Sequence, residues 1–172
     1  MTELIGNTIA RIIPGRTPEE VTEFPIPTRN SRPIAIVPAP DGKSMWFSEE
    51  AGNKVARILL DGTITEFAVP KTQDNVILAG LSFDHDGNLW VQQYVDQNNP
   101  TPSNPSPPGT DHVIRIDKSI LTAAATDISR IPFTFFEVPT CGTVMHRIIE
   151  GSDGNMWFTE LGSNKVGRVT RR

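Results

Sequence analysis

Apolar residues along this chain come in short alternating runs rather than at helical spacing. Ile64-Thr-Glu-Phe-Ala-Val-Pro70, Asn53-Lys-Val-Ala-Arg-Ile58 and Met156-Trp-Phe-Thr-Glu160 each carry β-branched or aromatic residues in alternation. That pattern predicts strands of about five residues with one face buried. Asp41-Gly42, Asp86-Gly87 and Asp153-Gly154 each stand just ahead of a Trp-bearing run. An Asp-Gly pair predicts a tight turn there, because glycine adopts positive φ without steric cost. Only Lys118 to Ser129 has a helical look, through the good helix formers Ala123 to Ala125.

The runs repeat. Asp41-Gly-Lys-Ser-Met-Trp-Phe-Ser-Glu49 returns as Asp86-Gly-Asn-Leu-Trp-Val-Gln-Gln93 and as Asp153-Gly-Asn-Met-Trp-Phe-Thr-Glu160. A second word is Asn7-Thr-Ile-Ala-Arg-Ile12, then Asn53-Lys-Val-Ala-Arg-Ile58, Asp111-His-Val-Ile-Arg-Ile116 and Asn164-Lys-Val-Gly-Arg-Val169. A third is Val21-Thr-Glu-Phe-Pro-Ile-Pro27, Ile64 to Pro70 and Phe133-Thr-Phe-Phe-Glu-Val-Pro139. A fourth short strand precedes each Trp run, at Ile34–Val37, Ala79–Ser82 and Arg147–Glu150. Four short strands in roughly 40 to 45 residues is the period of a β-propeller blade. The expected fold is therefore all-β, built of four-stranded antiparallel blades. We read 1–30 as a partial blade, 31–75 as a blade, 76–140 as a blade with a Pro-rich insertion at 95–110, and 141–172 as a partial blade. The recurring Trp is expected to pack between blades, and the recurring Arg to tie strands or blades together.

Composition narrows the function. The formal net charge is −4, with 16 Lys plus Arg against 20 Asp plus Glu. That balance argues against a nucleic-acid binder. No apolar run approaches the ~18 residues that would span a membrane. The N-terminus lacks a secretory pattern, so a cytoplasmic protein is expected. The single cysteine, Cys141, excludes an internal disulfide framework and a Cys-based zinc site. Walker, HExxH, CxxC and G-x-S-x-G words are missing, which leaves a conventional hydrolase triad unsupported.

Asp153 to Glu160, followed by Gly162-Ser-Asn-Lys-Val-Gly-Arg-Val169, and Ile64 to Pro70 resemble the virginiamycin B lyase (streptogramin lyase) propellers. The resemblance implies a lyase that opens the ester-linked ring of a natural product by elimination, with magnesium as cofactor. In that family the catalytic histidine begins an inner strand in a Pro-His-x-Ile word. Here the word is Met145-His-Arg-Ile148, with Met145 in the proline's place. The resemblance thus makes His146 the candidate base and Glu160 its acidic companion, with Glu150 as candidate metal ligand. Tyr94, Arg147 and Trp90 are candidate substrate contacts, Tyr94 because it opens the insertion. His85 and His112 are read as turn or strand-start residues facing solvent. The second histidine of the family has no counterpart at the aligned positions 34 and 79.

Two other readings stand beside this one: a cyclase or isomerase of natural products, and a non-catalytic ligand- or protein-binding propeller. Three full periods cannot close a ring alone. The chain is read either as part of a longer propeller or as a half-ring that a homodimer completes.

Overall fold

The computed structural model describes residues 1–15, 20–98, 107 and 109–170. Most of the Pro-rich insertion, residues 99–106 and 108, lies outside the described residues. The described residues form four antiparallel sheets in chain order. The first holds β1 (Thr2–Glu3), β2 (Thr8–Ile13) and β3 (Glu20–Pro25). The second holds β4 (Pro33–Pro38), β5 (Ser44–Glu49), β6 (Lys54–Leu59) and β7 (Ile64–Ala68). The third holds β8 (Val76–Phe83), β9 (Leu89–Val95), β10 (His112–Ile116) and β11 (Phe133–Glu137). The fourth holds β12 (Met145–Glu150), β13 (Met156–Glu160) and β14 (Lys165–Val169). Within each sheet sequential strands are neighbours, so every sheet is a meander.

These are propeller blades, and they do not close into a ring. Their first strands, β4, β8 and β12, lie side by side. Residues of those three strands line a common cleft of about 370 Å³, including Ile34, Val37, Gly80, Ser82, Arg147 and Ile149. The turns between first and second strands follow the Asp-Gly signal, with Gly42, Gly87 and Gly154 at φ of 67°, 88° and 73°. The segment with a helical look forms two short 3-10 helices, Lys118–Thr122 and Ala125–Arg130.

The core lies between blades rather than within one. Alternation puts one face of each strand toward the preceding blade and the other toward the next. Trp46, Val55 and Phe67 of the second blade thus pack with Leu89, Val91, Ile114 and Ile116 of the third. Trp90 and Val113 of the third blade pack with Met145, Met156 and Phe158 of the fourth. Trp46 stacks on Phe67 at 5.4 Å and Trp90 on Phe136 at 5.3 Å. The recurring arginine crosses the same boundary: Arg11 donates to the Leu60 carbonyl at 2.9 Å, and Arg57 to those of Leu121 and Ala123 at 2.6 and 3.3 Å.

The residue opening the second repeated word is also a clasp. Asn7 and Asn53 adopt left-handed φ of 57° and 50°. Asn7 Oδ1 accepts from the Ser31 N–H and hydroxyl at 2.8 and 2.9 Å, and Asn53 Oδ1 accepts from Gln93 Nε2 at 3.1 Å. A backbone turn and an inter-blade bond are therefore served by one side chain. Asp111 occupies that position in the third blade.

Candidate functional site

Each inner strand carries an irregularity at its start. Pairing of β4 with β5 shifts between Pro33 and Ile36, of β8 with β9 between Leu78 and Leu81, and of β12 with β13 between Met145 and Ile148. The bulged residues are Ile34 and Ala35, Ala79 and Gly80, and His146 and Arg147. A bulge re-aims side chains and frees backbone groups from the ladder. The second strand of the same blade takes up one freed N–H each time. Ser48 Oγ accepts from the Ala35 N–H at 3.2 Å, Gln92 Oε1 from Gly80 at 3.1 Å, and Thr159 Oγ1 from Arg147 at 3.1 Å.

His146 thus stands exposed on the bulge of β12, beside Arg147, which lines the cleft. Arg147 Nη1 donates to the His146 carbonyl at 3.1 Å. Glu160 pairs in register with Met145, next to His146 in sequence. Its carboxylate is buried and accepts the Ser163 hydroxyl at 2.9 Å. The structure brings His146, Arg147 and Glu160 to one end of β12.

The other candidates lie elsewhere. Glu150 is at the opposite end of β12, where it accepts the His85 N–H at 2.7 Å and bonds the His85 imidazole. Three residues of strand, Arg147 to Ile149, stand between it and His146, so the two lie toward opposite ends of β12 and do not share a site. Among the described residues no three His, Cys, Asp or Glu side chains gather as a metal site. The donors near His146 do not by themselves make a magnesium centre.

Trp90 is wholly buried between the third and fourth blades, with its indole N–H donating to Asp84 at 2.8 Å. It belongs to the core and offers no surface to a substrate. Tyr94 is also buried and packs in the same inter-blade cluster. Burial, with the charges of Glu50 and Asp96, pushes its phenol up to about 12 against the opposing pull of Arg32. It stays protonated at neutral pH. His112, expected in solvent, is buried: its Nδ1 lies 3.0 Å from the Thr110 carbonyl, and its ring meets Phe135 edge-on.

Glu49, the second-blade counterpart of Glu160, is wholly buried, and neither of its carboxylate oxygens has a hydrogen-bond partner among the described residues. Burial pushes its pKa up to about 8, with Glu66 adding to the shift and Lys54 opposing it.

The blades, their inner-strand cleft and a histidine on an inner-strand bulge define a propeller protein with its candidate site where the inner strands begin. Residues 1–98 match the Virginiamycin B lyase family. The chain belongs to that family. A virginiamycin B lyase from Staphylococcus aureus is 30% identical, with a TM-score of 0.75 over 99% of this chain and 47% of that one. A catalytically inactive S. aureus virginiamycin B lyase, solved with quinupristin, is 27% identical, with a TM-score of 0.51 over 99% of this chain and 62% of that one. A luciferin-regenerating enzyme, 16% identical with a TM-score of 0.63, shares the fold over 97% of this chain and 50% of its own. The chain spans about half the length of the first lyase. No curated protein sequence matches it.

Proposed function

We propose that this chain carries the proton-abstracting part of a carbon–oxygen lyase that opens a cyclic ester by elimination. The observation that carries this reading is His146, exposed on the β12 bulge beside the cleft, in a chain of the lyase family. An imidazole suits a general base near neutral pH. In the proposed step His146 takes the proton from the carbon next to a carbonyl. The electron pair left behind forms a carbon–carbon double bond, and the adjacent carbon–oxygen bond of the ester breaks, releasing a carboxylate. Arg147 is within the same cleft wall and can pair with that carboxylate through its planar guanidinium. Glu160 supports the end of β13 opposite the bulge. Glu150, engaged by His85 at the far end of the strand, takes no part in this step.

The experiment is incubation of the purified chain with quinupristin, the compound in the inactive lyase's structure, followed by liquid chromatography with tandem mass spectrometry, which separates the isomeric ring-opened product from the substrate. Elimination opens the ring with no change in mass. Hydrolysis gives a product one water heavier and overturns the reading, as does an unchanged substrate.

A further inference from the structure

Gln92 differs from its repeat counterparts Ser48 and Thr159 in length, and it uses that length. All three satisfy the bulge N–H of their own blade. Gln92 also reaches across the blade boundary, where its Nε2 donates to the Arg147 carbonyl at 3.1 Å. The amide is wholly buried. Arg147 is consequently pinned on both sides of its α-carbon, at the N–H by Thr159 and at the C=O by Gln92. Its peptide neighbour is His146.

Gly80 makes this approach possible. A Cβ at position 80 would lie 2.6 Å from Gln92 Oε1, 2.8 Å from the His146 carbonyl oxygen and 3.1 Å from the Arg147 Cα. Two of those three atoms are backbone and cannot swing aside. Glycine is therefore required because the β8 and β12 bulges press against each other, with the Gln92 amide closing the gap.

We propose that Gln92 and Gly80 are positioning residues for His146: they hold the β12 bulge from the neighbouring blade. The proposal rests on the reading of His146 as the base. A buried, fully bonded amide is a stiff support, because the bulge can shift only by orphaning the Gly80 N–H or the Arg147 carbonyl. A misplacement of about 1 Å at a reacting group can cost on the order of 100-fold in rate.

The test uses the full chain and two variants, Gln92→Met, which keeps the volume and removes both hydrogen bonds, and Gly80→Ala. The first readout is the His146 Cε1–H cross-peak by NMR, with His85 and His112 as internal references. Both variants are expected to displace the His146 peak and leave the other two in place. The second readout is quinupristin turnover, where kcat is expected to fall about tenfold or more while KM stays within about twofold. An unmoved His146 peak in both variants overturns the proposal. Should a variant fail to fold, the wild-type protein decides. Slow exchange of the Gly80 N–H, with contacts from the Gln92 amide protons to the Arg147 Hα, is expected, and their absence overturns the proposal. If wild type does not turn over quinupristin, the lyase reading fails while the NMR arm still judges the positioning.

Discussion

The Asp111 carboxylate accepts the Thr143 hydroxyl at 2.6 Å and the Thr143 N–H at 3.0 Å, joining the start of β10 to the segment that leads into β12. Its other oxygen accepts the Val95 N–H at 2.9 Å. Both side chains are buried, so each bond is shielded from water.

Asp111→Ala is expected to be costly, because it strands three donors in the interior. The predicted loss is about 3 kcal/mol of unfolding free energy, measured by urea denaturation. Since Thr143 lies two residues before Met145, turnover should fall with stability. A loss within the range of surface substitutions would count against the clasp.

The buried Glu49 predicts a pH dependence. Its pKa is about 8 folded against an ordinary 4.5. Below about 4.5 both states hold the proton, and above about 8 neither does. Between them the folded state binds more protons than the unfolded one, so stability falls as pH rises through that window. Glu49→Gln should remove this slope and raise the Tm at pH 8 by about 3 °C or more. Thermal melts of both proteins between pH 5 and 9 check it, and parallel curves would refute it.

Trp157 is 37% exposed, whereas its counterparts Trp46 and Trp90 are fully buried. Ile149 and Val166 are exposed with it, and Arg168 lies 5.5 Å over the indole. An open apolar blade face of this kind favours association. Light scattering of the 172-residue chain should give a mass above that of the monomer, and Trp157→Ser should lower it. A strictly monomeric wild type would contradict this. Acrylamide should quench Trp157 and spare the other two indoles.

His146→Ala should leave the Tm nearly unchanged, because the side chain is exposed. Loss of a general base should lower kcat by about 100-fold or more, read as quinupristin opening. An active His146→Ala protein would move the base elsewhere.

The third blade shows how much of the site was legible in the sequence. Position 92 holds Gln where the other repeats hold Ser or Thr, a departure visible in the aligned words. Its meaning was not visible, because the Arg147 carbonyl that it reaches lies 55 positions away in the chain. Tyr94 reads as a substrate contact from its place at the insertion, and Trp90 reads both as a substrate contact and, from the repeat, as packing between blades. Both are core, since both aim at the fourth blade. Glu150 and His146 share one short strand, yet an extended strand carries its two ends to opposite ends of the blade.

What the sequence determined alone was the blade: strand period, Asp-Gly turns, the Trp and Arg words, and the family. These depend on local alternation and on repetition, both written along the chain. The tertiary structure decided what no single repeat contains: which face each side chain turns to a neighbour, which bulge a distant amide pins, and which carboxyl is wholly buried. Those outcomes come from contacts between blades, where residues far apart in sequence compete for the same few hydrogen bonds and the same buried volume.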